Sequence, residues 1–446
     1  VAAVHPTQST SRREALPVAE EPAVAPEAGR PPRTAFAREG FPVRIGPVGF
    51  LAIALVSESV GAFGLFAVAV LDVYLAGRFH LSLTGMGITV AATSLGVAFG
   101  LASAGPLSDR WGPRRVLAAG TVAAAGCAAL LGALGTFHLF VALLVPYGAA
   151  LASIPASGMK AVFAAFAGRP RGLPMGIRQG GTPVGAALAA LVLPVAASAM
   201  GLATLFRLVA LVLLAAGGAF VWVIPAGLAI PAVRLEAGGS HPESPAQRGL
   251  LRAIAWPLAI AFLLSAGQYD IAAFTLPDLG TRMGLTAAGA VLAAAQVGCG
   301  VGRVGFGLWS DRTGGNRPRV IWRVTLLGVV AAVVAAAGPP LGATGWAAVW
   351  FVFGLGAMGW NSLGTLWAAE AVDPGRAGAA MSAVATVVMA GATLHPPLFG
   401  AVAGAGGFRD AWAMLALDLA IACTLCSLAA RPARPRGSLR TALARD

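Results

Sequence analysis

The chain has 446 residues, of which 57% are hydrophobic and 11% charged, with a formal net charge of +13 and a mean hydropathy of +0.79. That balance excludes an ordinary soluble domain and reads as a polytopic membrane protein. The surplus arginines lie between apolar runs and in the tails, with no basic face interleaved with aromatics, so they read as topology signals rather than as a nucleic-acid surface.

Residues 1–45 are rich in Pro, Ala, Glu and Arg, lack periodicity and hold too little apolar surface to offset chain entropy, so a disordered cytoplasmic tail is expected there. No basic start followed directly by an apolar core precedes Phe50, and insertion is expected to rely on the first membrane helix. Twelve segments then approach the roughly twenty apolar residues that a membrane helix needs. Six fall in residues 46–230, at 47–74, 84–107, 115–135, 137–163, 173–199 and 204–229. Six more fall in residues 254–430, at 254–277, 284–309, 320–338, 342–369, 376–402 and 408–430. A polar segment at 231–253 links the two sets, and a basic tail occupies 431–446.

Basic residues near helix ends set orientation. With the N-terminus inside, Arg110, Arg114, Arg115, Arg169, Arg171, Arg234, Arg248, Arg252, Arg312, Arg317, Arg319, Arg323, Arg376 and the tail arginines face the cytoplasm, against only Arg78, Arg207, Arg282 and Arg409 opposite. Both termini are therefore expected to be cytoplasmic, in the cytoplasmic (inner) membrane of the cell. Gly96/Gly100 and Gly298/Gly302 recur at the four-residue spacing that lets membrane helices approach closely. Prolines inside spans, such as Pro146, Pro155, Pro183, Pro194, Pro257 and Pro396-Pro397, are expected to kink helices, for packing or for motion. Cys127, Cys299, Cys423 and Cys426 are scattered or inside apolar runs without a second ligand pair, so no metal site is expected.

A short polar break, Gly105-Pro106-Leu107-Ser108-Asp109-Arg110-Trp111-Gly112-Pro113-Arg114-Arg115, separates the second and third segments. It returns in the second half as Gly307-Leu308-Trp309-Ser310-Asp311-Arg312-Thr313-Gly314-Gly315-Asn316-Arg317, with Gly96, Gly100 and Gly105 in register with Gly298, Gly302 and Gly307. The chain is built twice. Asp109, at a helix end, can accept hydrogen bonds from the free amides that open a neighbouring helix, where the helix dipole also favours an anion. Arg110, Arg114 and Arg115 can pair with carboxylates or lipid phosphates.

These residues resemble the major facilitator superfamily of secondary transporters, whose signature G-x-L-x-D-R-x-G-R-R is met by Gly105, Leu107, Asp109, Arg110, Gly112, Arg114 and Arg115, with Pro113 intervening. Gly307, Asp311, Arg312 and Arg317 carry the degenerate second copy. The resemblance implies an all-α fold of twelve transmembrane helices in two pseudo-symmetric six-helix bundles. It also implies that Asp109 meets the start of helix eleven, near Arg376 to Ala380, and Asp311 the start of helix five, near Pro174 to Arg178. Such contacts would latch the halves when the cytoplasmic side closes.

Helices one, four, seven and ten line the family's central cavity, near the midplane between the halves. The candidate substrate and proton pathway here is therefore Glu58, Tyr147, Lys160, Gln268, Tyr269, Asp270, Trp360 and Asn361. An ionisable group inside a span is a functional candidate by default. Glu58, about a dozen residues from either helix end, is expected to take up and release a proton during transport. Asp270 is a second candidate, Asp418 is expected to pair locally, and His395 is either a proton carrier or a hydrogen-bonded spacer. Lys160, Arg178 and Arg303 can anchor at the interface, pair with carboxylates, for example Arg178 with Asp311, or make a cavity attractive to an anion.

The helix-five pattern of the family's drug and proton antiporters is met only partly, since Gly176 to Gly185 keeps its glycines but displaces the proline to Pro183; the arginine frequent in helix four is also missing. The expected function is proton-coupled transport of a small organic solute by alternating access, with no cofactor beyond the proton gradient, no nucleic-acid partner and a monomer in the bilayer. Efflux of amphipathic compounds would use an aromatic cavity of Trp360, Trp367, Tyr147 and Tyr269, whereas uptake of a small organic anion would use Lys160 and Arg178. Neither a catalytic His-x-x-x-His or Gly-x-Ser-x-Gly pattern nor a phosphate-binding Gly-Lys-Ser/Thr loop occurs, so an enzyme or a direct ATP drive is not expected. A membrane-embedded sensor is the remaining alternative.

Overall fold

Twelve helices are long and apolar enough to cross a membrane, and every regular element among the described residues is helical. The computed structural model describes residues 45–166, 172–225, 245–312, 316–372 and 376–430, with Ala2 and Leu228. The expected tails, nearly all of 1–45 and all of 431–446, and the first part of the 231–253 linker lie outside these residues, as do the side chain of Asp311 and the loop at 167–171 with Arg169 and Arg171.

The first half comprises α1 (Pro47–Phe79), α2 (Leu83–Trp111), α3 (Pro113–Leu131), α4 (Phe137–Leu151), α5 (Ser153–Ala165), α6 (Gly172–Gln179), α7 (Gly181–Met200) and α8 (Leu202–Val223). A short helix α9 (Pro245–Ala253) leads into α10 (Ala255–Met283), α11 (Leu285–Arg312), α12 (Arg317–Ala337), α13 (Ala343–Phe353), α14 (Asn361–Glu370), α15 (Ala377–Gly406) and α16 (Phe408–Ala429). Three spans are composite. The fourth breaks between α4 and α5, because Pro155 cannot donate to the Leu151 carbonyl. The fifth breaks at Gly180, where Pro183 likewise cannot serve Gln179. In the tenth, a π-helical turn at Gly354–Met358 joins α13 to α14, a local widening that frequently marks functional sites.

Local chemistry fixes the ends. Ser82 caps α2 by accepting from the Gly85 amide, and Asn316 caps α12 by accepting from the Arg319 amide. Gly112 ends α2 at φ 83° and Gly284 ends α10 at φ 83°, a region that glycine enters without strain. The repeat seen in the sequence is a repeat of packing. Gly96 faces the Val145 carbonyl of α4 and Gly298 faces the Phe351 carbonyl of α13, in each case with no room for a Cβ.

The halves do not meet evenly. On the side away from the signature loops, Gly87 of α2 lies against the Pro396 carbonyl of α15, Gly400 of α15 against the Leu83 carbonyl, and Gly289 of α11 against the Ala190 carbonyl of α7. This far side is sealed backbone to backbone. Toward the signature loops, α6 and α7 diverge from α11 and α14 around a cavity of about 520 Å³. The molecule is open on the signature side.

Candidate functional site

Each half buries one charged cluster. In the first, Arg178 of α6 is 1% exposed and donates through Nη2 to Glu58 Oε2 at 2.5 Å and to the Ile154 carbonyl at 2.8 Å. Thr182 Oγ1 donates to the other Glu58 oxygen at 3.2 Å. The break in the fifth span places Arg178 and Thr182 on either side of Glu58. Gly158 and Gly181 supply the space, since a Cβ on the first would press on the guanidinium and one on the second would lie 2.8 Å from Glu58 Cβ. Arg178 therefore belongs to Glu58, which corrects its pairing with Asp311; a buried guanidinium requires a counter-charge at its own depth.

In the second half His395 of α15 lies between two carboxylates. Its Nδ1 is 2.5 Å from Asp270 Oδ2 on α10, and its Nε2 is 2.9 Å from Asp418 Oδ2 on α16. Asp270 is fully buried, Asp418 is half-buried, and the second Asp270 oxygen has no hydrogen-bond partner. Neither nitrogen is free. Either the ring is an imidazolium donating to both carboxylates, or a neutral ring donates to one and accepts from a protonated other. Both arrangements share two protons among the three groups. Asp418 does not pair locally as expected, because the packing of α16 against α15 brings it to His395, 23 positions away.

At the signature side, Lys160 Nζ donates to Asp109 Oδ1 at 2.5 Å and to the Gly105 carbonyl at 2.7 Å. Asp109 thus meets α5 of its own half and not the start of α15, because the halves are apart on this side and Lys160 is the cation within reach. In the second half, Arg317 takes Glu370 at 3.0 Å and Ser310 at 2.8 Å. The signs are reversed: the fourth span brings a cation to the signature carboxylate, and the tenth brings a carboxylate to the signature arginine. Arg110 and Arg312 are exposed, and the expected contact of Asp311 involves a side chain outside the described residues.

The remaining candidates separate. Tyr147 is fully buried and donates to the Gly64 carbonyl at 2.8 Å, Trp360 is 1% exposed and donates to the Ala357 carbonyl at 3.0 Å, and Tyr269 contacts Met389 Sδ at 3.9 Å. Gln268 is buried with its Oε1 unpartnered. None of these lines the cavity between α6–α7 and α11–α14, whose polar residues are Gln179, Gln296, Arg303, Asn361 and Ser362. The expected aromatic cavity is aliphatic instead, lined by Val184, Leu188, Leu191, Val297 and Val304. Lys160 and Arg178, expected as its cations, are each held by a carboxylate.

Asp72 of α1 was not among the candidates. It is fully buried, accepts from Thr89 Oγ1 at 2.6 Å, and leaves its second oxygen without a hydrogen-bond partner. Its depth is hidden in the sequence because the apolar run fades near residue 74, whereas the helix continues to Phe79 and places Asp72 two turns inside.

The comparisons agree with this architecture. A profile of the Major Facilitator Superfamily matches residues 51–396. Two Mycobacterium tuberculosis proteins described as uncharacterized MFS-type transporters, MT3072 of strain CDC 1551 / Oshkosh and Rv2994 of strain H37Rv, are each 29% identical over 360 residues, covering 79% of this chain and 77% of the relative. The crystal structure of the nucleoside transporter NupG superposes with a TM-score of 0.69 at 15% identity, over 86% of this chain and 100% of that one. A bacterial homolog to the human lysosomal transporter Spinster, in an inward-facing and unoccupied conformation, gives 0.68 at 15% identity, over 86% and 97%. At such identities the two structures speak for the fold. With a match over most of its length, two signature loops and twelve candidate spans in two bundles, the chain belongs to the major facilitator superfamily of transporters.

Proposed function

We propose that this protein is a proton-coupled secondary transporter that moves a small amphipathic organic solute across the cytoplasmic membrane by alternating access, with the signature loops and both termini in the cytoplasm. The observation that carries the reading is the uneven meeting of the halves: backbone-tight on the far side, parted around a cavity of about 520 Å³ on the signature side. A rocking of the bundles that closed the second and opened the first would move a bound solute across. Asp109 would then leave Lys160 for the amides at the start of α15, where the latch forms.

Asp270, His395 and Asp418 support proton coupling, because they hold an exchangeable proton at the depth of the bilayer, where an ionisable group costs several kcal/mol to maintain (about 2.5–3.5 on insertion scales). Glu58, closed on Arg178, is the static counterpart. The aliphatic cavity wall suits an amphipathic compound, and export of such a compound is the direction the reading takes.

The test is solute movement in proteoliposomes under an imposed pH gradient, screened across cationic drugs and small carboxylates. Gradient-driven movement that a protonophore abolishes is expected. Counterflow of a drug against protons marks export, and co-accumulation of an acid with protons marks uptake. No gradient-dependent movement of any solute would overturn the coupling.

A further inference from the structure

The cavity between the halves is not uniform along its length. A Cβ on Gly300 would lie 3.5 Å from Pro183 Cγ of α7, and Gly289 meets Ala190, so α7 and α11 run antiparallel and their levels can be matched. Arg303 stands at the level of Gln179, nearest the signature side, and Asn361 and Ser362 of α14 line the same cavity. From Gln179 to Leu191 the wall extends roughly 18 Å at the rise of an α-helix. Its deeper part is Val184, Leu188 and Leu191 facing Val297, all about half exposed. One end of the cavity is polar and the other aliphatic.

Arg303 differs from three other buried or half-buried cations. Lys160, Arg178 and Arg317 each hold a carboxylate, at 2.5, 2.5 and 3.0 Å. Among the described residues no carboxylate lies within ion-pair distance of Arg303. Ser362 donates to the Arg303 carbonyl at 3.1 Å, which ties α14 to this point of α11 and holds Asn361 beside it. A guanidinium left uncompensated in a part-apolar cavity is costly unless an anion joins it, and its planar fork matches carboxylate and phosphate oxygens.

We propose that Arg303, with Gln179 and Asn361, binds the anionic head of an amphipathic organic anion whose apolar body lies along Val184, Leu188 and Leu191. This rests on the cavity being the transport site, and it names the class of solute. The anion site falls on Arg303 because Lys160 and Arg178 are already neutralised. The head chemistry is a carboxylate or a phosphate monoanion, which a water-borne organic acid or a membrane lipid could each present.

The full-length protein in neutral detergent tests this with a matched pair, 1-naphthylacetate and the uncharged 1-naphthylacetamide, titrated calorimetrically. The acid is expected to bind about 10-fold more tightly than the amide, as a charge-assisted pair in a part-buried site allows. Arg303→Gln should bring the two to similar affinity while keeping amide binding, which shows that the variant is folded, and Arg303→Lys should restore part of the preference. Arg409→Gln, exposed at the start of α16 on the far side, should leave the preference intact. Extending a straight-chain acid from butanoate to octanoate should tighten binding by at least about 10-fold through added methylenes.

Equal affinities for acid and amide in the unmodified protein, an acid preference that survives Arg303→Gln, or no saturable binding by any of these acids would overturn the assignment. Displacement of naphthylacetate by phosphatidylglycerol would support a lipid-borne head at Arg303, and its indifference to that lipid a water-borne acid. Acid-selective binding without pH-driven transport would sink the coupling and keep the site; pH-driven transport without acid selectivity would do the reverse.

Discussion

The two halves repeat one packing scheme and bury opposite kinds of polar cluster. In the first, Glu58 meets an arginine, which holds it in a buried ion pair. In the second, Asp270 and Asp418 meet a histidine, which can carry one proton or two. A duplicated fold fixes where side chains stand, and the residue type at that place decides whether the cluster is an arginine–carboxylate pair or a histidine between two carboxylates. The same contrast recurs at the signature loops, where Lys160 reaches a carboxylate and Glu370 reaches an arginine.

Breaking the arginine–carboxylate pair should have the largest effect. Arg178→Gln leaves Glu58 buried opposite a neutral group, and removing one partner of a buried pair costs about 3–5 kcal/mol. Thermal unfolding in detergent is expected to show that loss, and Glu58→Gln combined with Arg178→Gln should recover most of it. Removing the proposed proton carrier comes next. His395→Gln should lower gradient-driven accumulation about 100-fold, the scale of a lost general acid–base group, while solute exchange at equal pH on both sides continues in proteoliposomes.

A smaller change is expected from Lys160→Met, which frees Asp109 to latch onto the start of α15. Losing one half-exposed ion pair of about 1 kcal/mol should shift the balance toward the signature-side closed form about 5-fold, read by spin-label distances between α5 and α14. The smallest belongs to Glu370→Gln. Its pair with Arg317 is half exposed, so about 0.5 kcal/mol of stability should be lost, and raising salt should mask the difference in unfolding temperature.

The sequence made the architecture readable because the bilayer enforces it: twelve apolar runs of helix length, a repeated polar break and matching glycines leave few alternatives. Even the interruptions at Ala152 and Gly180 had visible causes in Pro155 and Pro183. The site was less readable, for a physical reason. His395 is 125 positions from Asp270 and 23 from Asp418, and only the packing of three helices makes them one cluster. Lys160 and Arg178 looked alike from the sequence as cations near a helix end; both chose carboxylates, and Arg303, ranked beside them, is the one left facing the cavity. Asp72 was masked by the fading of the apolar run around it.

The most direct test places Asp270→Asn and Glu58→Gln side by side in proteoliposomes and follows solute accumulation under one imposed pH gradient. Asp270→Asn should abolish the gradient dependence while exchange persists, and Glu58→Gln should keep the dependence with a less stable protein. Gradient-driven accumulation that survives Asp270→Asn, or that disappears with Glu58→Gln alone, would contradict the assignment of the proton to the second half.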